Sequence, residues 1–232
     1  NKMDFGLIGH PLGHSFSKEI HESLGLYTYK ICDLPEEKFE KFMTEKNFKG
    51  INVTIPYKQK VIPFLDEIDE TAKEIGAVNS IVNKNGKLFG YNTDLFGISN
   101  LISKTAGDIS EKTVLILGSG GTSKTAAYAA KTMGAARIYK ATRKQDLIPD
   151  GDFEYITYNN IDKIADFTDI IINTTPVGMF PNTDASPINI SLFKNLSAVV
   201  DAVYNPLKTK LVYTAEKENI PAETGLYMLV SQ

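Results

Sequence analysis

Residues 113–118 read TVLILG, and the chain passes directly from this apolar run into Ser119-Gly120-Gly121 and an alanine-rich stretch, TSKTAAYAAKTMG. A strand apolar on both faces belongs inside a sheet covered by helices on both sides, the setting of parallel strands. The glycines permit a tight reversal, and the helix that follows offers free N–H groups and the positive end of its dipole. Such a strand–turn–helix suits the pyrophosphate of a dinucleotide, with Gly118, Ser119, Gly120 and Gly121 as candidate contacts. It also suits an ordinary strand-to-helix connection, and Ser123 occupies the place of the usual third glycine.

The alternation continues downstream. ARIYKAT (136–142), a weaker segment near 154–158, DIIINTTP (169–176) and AVVDAVY (198–204) read as strands, with helices near 160–166 and 208–218. Strands and helices at this spacing predict a doubly wound, Rossmann-type sheet. An NAD site of this type carries an acid about 20 residues beyond the glycines, on the ribose hydroxyls. This chain has Thr142, Arg143 and Lys144 there, with Asp146 just beyond. A guanidinium matches a 2′-phosphate and hence NADP; a solvated basic turn is the other reading.

Residues before about 96 follow a different pattern. Strands are expected at 4–9, 27–33 and 50–56, and helices at 15–24, 35–46, 57–64 and 67–75, with Ser15 or Ser17 capping the first. AVNSIV and KLFGYN, joined across Asn85-Gly86, read as a hairpin. The expected fold is therefore α/β throughout: an N-terminal domain with a mixed sheet, residues 1–96, rejoined by 225–232, and a nucleotide-binding domain at 97–224. The first domain carries polar side chains that a core does not need: Ser15, Ser17, Asn52, Thr54, Lys58, Asn79 and Asp94. Asn52 and Thr54 share a strand face by period two. Hydroxyls, amides, an ammonium and a carboxylate together suit a small polyol acid. Taken singly, the serines also suit helix caps, the asparagines turns, Asp94 an N-cap and Lys58 a solvated surface.

Bulk properties exclude several classes. The 232 residues carry 25 basic and 28 acidic side chains, a net charge of -3, so nothing general draws the chain to nucleic acid or an anionic membrane. No apolar run approaches the roughly 18 residues of a membrane span, and MDFGLIG lacks the flanks of a signal peptide. One cysteine, Cys32, excludes an internal disulfide, and a cytoplasmic location is expected. His10, His14 and His21 show no spacing with Cys32 or the acids that points to zinc, so no metal is expected.

The segments GHPLGHSFSK, GINVTIPYK, GAVNSI, GYNTD, VLILGSGG, INTTPVGM, DAVYNP and GLYMLVSQ, in this order, resemble the shikimate dehydrogenase family over nearly the whole chain. The resemblance implies a substrate domain and an NADP domain separated by a cleft. It also implies reversible NADPH-dependent reduction of 3-dehydroshikimate to shikimate, a step of aromatic amino-acid precursor synthesis. Lys58 and Asp94 are then the proton-transfer pair. Ser15 and Ser17 hold the substrate carboxylate; Asn52, Thr54, Asn79, Tyr204 and Gln232 complete the substrate shell. Gly118, Ser119, Gly120 and Gly121 hold the pyrophosphate, with Thr142 and Arg143 at the 2′-phosphate. Thr175, Val177, Met179 and Gly225 lie at the nicotinamide end. A quinate/shikimate dehydrogenase using NAD shares almost every motif, and a non-catalytic nucleotide-binding protein shares the fold; the family offers monomers and homodimers. Departures are Ser119 and Thr122 in place of alanines, Thr-Arg-Lys in place of Asn-Arg-Thr, and only four residues from His21 to Gly25. Members continue past the last motif with helices on the first domain, so further chain is expected after Gln232.

Overall fold

The structure, a computed structural model, describes residues 3–12, 15–25, 27–143 and 153–231. Backbone contacts divide the chain into two units, the first ending at Thr93 and the second beginning at Asp94.

The first unit contains β1 (Phe5–Gly9), α1 (Ser17–Leu24), β2 (Tyr29–Asp33), α2 (Glu36–Glu45), β3 (Gly50–Val53), β4 (Glu67–Ile68), α3 (Glu70–Ile75), β5 (Ser80–Lys84) and β6 (Lys87–Tyr91). Its sheet has the order β2-β1-β3-β5-β6-β4. β1 is parallel to β2 and β3, β5 is antiparallel to β3 and β6, and β4 is parallel to β6, so the sheet is mixed. Pro35 stands just before α2 and Glu36 and Glu37 fill its first turn, where acids complement the helix dipole. Phe39 and Met43, four apart and hence on one face, are its buried residues. Phe39 stacks on Tyr57 with ring centroids 4.3 Å apart, in a core that includes Ile8, Ile51, Val53, Val61, Val78, Ile81 and Leu88. Burying each such side chain contributes about 1.5–3 kcal/mol. The hairpin turn has φ of 55° at Asn85 and 85° at Gly86, the pair of positive angles a two-residue type I′ turn requires.

Three local expectations change. Residues 57–64 form no α-helix: turns lead into a single 3-10 turn at Ile62–Phe64. Pro56 and Pro63 bracket a segment too short to propagate a helix, and Tyr57 is instead drawn inward, its hydroxyl donating to Leu34 O. The stretch 67–75 splits, because Glu67 and Ile68 pair with β6 and Asp69 then caps α3, accepting from Thr71 N and Ala72 N. At α1 the capping position is Phe16, not a serine; Ser15 Oγ accepts from Ser17 N at 3.2 Å instead.

The second unit contains α4 (Asp94–Ala106), β7 (Thr113–Leu117), α5 (Gly121–Thr132), β8 (Arg137–Thr142), β9 (Glu154–Thr157), α6 (Asp162–Ala165), β10 (Ile170–Asn173), β11 (Ala198–Asp201), α7 (Lys210–Lys217), β12 (Ala222–Glu223) and α8 (Leu226–Ser231). Its sheet has the order β12-β11-β10-β7-β8-β9, and every pairing is parallel. Numbered within the unit this is 3-2-1-4-5-6, the doubly wound arrangement, with its switch point between β7 and β10. β7, β10 and β11 are buried at every position. One cluster, including Ile98, Leu101, Ala126, Ala130 and Met228, covers one face of the sheet; another, including Ile161, Ile164, Phe193, Leu211 and Ala215, covers the other. The closing segment, expected to rejoin the first domain, forms α8 within the second unit, where Met228 joins the core beneath α4. Among the described residues, no helix is long and apolar enough to cross a membrane.

Candidate active site

In the first unit, the carboxyl end of β3 gathers three of the expected residues by backbone pairing. Val53 N donates to Asn79 O at 2.8 Å, Tyr57 N to Thr54 O at 2.9 Å, and Val78 N to Lys58 O at 2.8 Å. Lys58 is thus pinned beside the Val78-Asn79 segment, with Thr54 one turn away. Asn79 is 3% exposed; its amide donates to Thr93 Oγ1 at 2.9 Å and its oxygen accepts from Thr93 N at 2.7 Å. That exchange fixes the residue immediately before Asp94, which opens α4 and is 3% exposed. Asn52 accepts from the Tyr29 hydroxyl at 2.6 Å, and Tyr29 lies flat on the His21 ring, 4.1 Å between centroids. Burial lowers the His21 pKa, opposed by a hydrogen bond that the ring makes to Asn52.

The two serines form a pair of their own, Ser15 Oγ donating to Ser17 Oγ at 3.0 Å. Their loop is tied down from β2, since Asp33 Oδ1 accepts from Leu12 N at 3.1 Å and bonds His10 Nδ1 at 2.8 Å. These hydrogen bonds, His10 foremost, hold the Asp33 carboxyl below its usual range. Gln232, the remaining first-domain expectation, lies outside the described residues.

In the second unit, the glycine turn stands at the switch point. Gly118 has φ of 115°, and a Cβ there would come 2.8 Å from Thr174 Oγ1 and 3.2 Å from Thr175 Cγ2. Glycine is therefore required both by the backbone and by the approach of the neighbouring strand. Gly120 is the N-cap of α5, no side chain caps it, and a Cβ there would meet open space. An uncapped helix start facing open space at a switch point has the shape and dipole that a pyrophosphate needs, so the residues present fit a dinucleotide. Ser123 is fully buried and its hydroxyl donates to Gly118 O at 2.7 Å. The hydroxyl is satisfied within the turn, which explains how serine replaces the third glycine without loosening helix against strand. Ser119 is exposed.

Thr142 is buried at the end of β8, and Arg143 follows it, exposed. Arg143 is close enough to Tyr158, past β9, to oppose electrostatically the rise that burial imposes on the Tyr158 hydroxyl pKa. Thr175 donates to Asn173 Oδ1 at 2.7 Å and accepts from Val177 N at 3.3 Å; Val177 and Met179 are exposed. Gly225 N donates to Val203 O at 2.9 Å, and a Cβ at Gly225 would lie 2.1 Å from Ala202 O, so the segments holding Tyr204 and Gly225 are in backbone contact. Among the described residues, no group of three or more His, Cys, Asp or Glu could hold a metal ion.

Sequence reasoning assigned no role to Asn173, Asp201 and Thr209, or to Tyr29. The available signal was a polar residue closing an otherwise apolar strand, as in IIIN and AVVD.

A doubly wound parallel sheet with a glycine turn at its switch point defines the second unit as one of the dinucleotide-binding class. Residues 7–81 match the family model described as "Shikimate dehydrogenase substrate binding domain". Over 98% of its length the chain is 36% identical to a shikimate dehydrogenase (NADP(+)) of Clostridium beijerinckii, covering 88% of that protein. The crystal structure of shikimate dehydrogenase 1 from Peptoclostridium difficile is similar over the whole chain and 88% of its own, with a TM-score of 0.92 and 36% identity. A shikimate 5-dehydrogenase from Listeria monocytogenes, described in complex with shikimate and NAD, has a TM-score of 0.76 at 28% identity, covering 98% of this chain and 88% of its own. The chain belongs to the shikimate dehydrogenase family, and is an oxidoreductase that uses a nicotinamide dinucleotide.

Proposed function

We propose that this protein catalyses the reversible reduction of 3-dehydroshikimate to shikimate with NADPH. The observation that carries the reading is the backbone-pinned group at the end of β3, where Lys58 stands beside Asn79 and Thr54. A lysine held among amide and hydroxyl groups is suited to a proton transfer on a polyol, and a nucleotide-binding module alone has no use for it. Lys58 donates a proton to the oxygen of the ketone as it is reduced and takes it back in the reverse direction. Asp94 supports that transfer. Ser15 and Ser17 bind the substrate carboxylate, while Asn52, Thr54, Asn79, Tyr204 and Gln232 orient its ring hydroxyls. When bound, the cofactor supplies the hydride from its nicotinamide ring.

For the cofactor, Gly118, Ser119, Gly120 and Gly121 receive the pyrophosphate. Thr142 and Arg143 receive the 2′-phosphate: an exposed guanidinium follows the second strand, where an NAD site has an acid. Thr175, Val177, Met179 and Gly225 flank the nicotinamide end. The NADP(+) in the Clostridium relative's name supports this reading; the NAD named with the Listeria relative is the alternative.

The test is steady-state reduction of NADP⁺ and NAD⁺ with shikimate and with quinate. The expected result is a preference for shikimate with NADP⁺. Comparable rates with quinate or NAD⁺ would move the protein to the dual-specificity relatives. Folded protein without activity on any pair would leave a nucleotide-binding role.

A further inference from the structure

β10 and β11 are apolar until their last residues, Asn173 and Asp201, which are partners in register. Both are fully buried. Holding two strands together does not need polar groups here, and each would be costly unless hydrogen-bonded. Thr209 Oγ1, which caps α7 by accepting from Val212 N at 3.3 Å, donates to Asp201 Oδ2 at 2.7 Å. Asp201 Oδ1 accepts from Val203 N at 3.0 Å and from the Asn173 amide at 2.9 Å. The amide oxygen of Asn173 is thereby turned toward the segment after β10, where it accepts from Thr175 N at 3.0 Å and from the Thr175 hydroxyl at 2.7 Å. Thr175 Oγ1 in turn accepts from Val177 N at 3.3 Å. An unbroken series of bonds thus runs from the N-terminus of α7 through the sheet to the exposed Val177.

We propose that Asn173 and Asp201 are positioning residues that set the Thr175–Met179 segment against the nicotinamide end of the cofactor. The proposal rests on the reading above, that this segment flanks the nicotinamide. Burial pushes the Asp201 carboxyl up to about 6, against the hydrogen bonds from Val203 N, Thr209 and Asn173. The fold thus retains a carboxyl group that is unfavourable to bury, in line with a use other than holding the sheet together.

The test compares Thr175→Val, Thr175→Ser, Asp201→Leu and Asp201→Asn in the full chain, with Val177→Trp as a separate probe of the segment. Turnover and the Michaelis constant for NADPH are measured with 3-dehydroshikimate, and affinity for adenosine 2′,5′-bisphosphate is measured by titration. Thr175→Val is expected to lower kcat by about tenfold or more, as a misplaced reacting group does, with affinity for the adenosine bisphosphate unchanged. Thr175→Ser, which keeps the hydroxyl, restores most of the loss. Asp201→Asn, whose oxygen can still accept from Asn173 and Val203, retains most of the activity that Asp201→Leu loses. If Thr175→Val and Asp201→Leu are folded with unchanged kcat, or lose only affinity for the adenosine bisphosphate, while Val177→Trp abolishes activity, the positioning role is overturned and the site reading stands. If Val177→Trp also leaves both NADPH constants unchanged, the segment does not flank the nicotinamide, and the reading and the proposal are overturned together.

Discussion

In the first unit polar side chains stand within the strands. β3 alternates half-buried and buried positions and carries Asn52 inside its length. In the second unit β7, β10 and β11 are buried from end to end, and polar groups begin where each strand stops: at Gly118 and the turn beyond it, and at Asn173 and Asp201. The mixed sheet leaves strand positions half-open, so chemistry can be written along a strand. The all-parallel sheet is covered on both faces, so chemistry is confined to the edge where its strands end. In the function proposed above, the two six-stranded sheets therefore divide the work: side chains recognise and protonate a small molecule in one, while backbone and strand ends receive a dinucleotide in the other.

Substitutions can break that division. The largest expected effect is Lys58→Ala, which should lower turnover by about 10²–10⁴-fold while the dissociation constant for NADPH barely changes; near-normal turnover would remove Lys58 from proton transfer. Arg143→Ala should weaken NADPH relative to NADH by about tenfold to a hundredfold, the worth of charge-assisted hydrogen bonds. Equal effects on the two Michaelis constants would detach Arg143 from the 2′-phosphate. Gly118→Ala should cost about 1–3 kcal/mol in urea unfolding, because a side chain is forced onto a positive φ and against Thr174 Oγ1. An unchanged midpoint would show that the switch point relaxes freely.

A final substitution sharpens the comparison by pH. The Asp201 carboxyl, ordinarily near 3.8, is raised to about 6 in the fold. Below 3.8 both folded and unfolded chains hold that proton. As pH rises toward 6, the unfolded chain releases it first, so Asp201 subtracts from stability, fully so above 6. Asp201→Asn is therefore expected to be more stable than the parent by about 3 kcal/mol at pH 8, the gap closing toward pH 4. A gap independent of pH would mean that burial of the charge is not its source.

Features written locally were legible from sequence. The β7–glycine–α5 unit follows from an uninterrupted apolar run meeting glycines, and the β5–β6 hairpin from Asn85-Gly86. Features decided by distant partners were not. The segment 57–64 reads as a helix until Tyr57 is seen bonded to Leu34 and stacked on Phe39. Residues 67–68 read as helix until β6 claims them. The apolar tail 225–231 has a face to bury, but nothing in its own residues says that α4 is the surface it meets. At the site, residue types pointed to Lys58, Asn79 and Arg143, yet Asn173 and Asp201 gain meaning only from each other, through a strand pairing that spans 28 positions.

One consequence of the parallel sheet concerns inheritance. The turn read as receiving the pyrophosphate follows β7, while Arg143, read as discriminating NADP from NAD, follows β8 and is exposed. A lineage could exchange Arg143 for an acid without repacking a single strand, because its side chain is exposed. Cofactor preference in such a protein is a shallow trait, free to drift with the dinucleotide pool of its host, whereas the geometry around Gly118 is a deep one that descendants must keep.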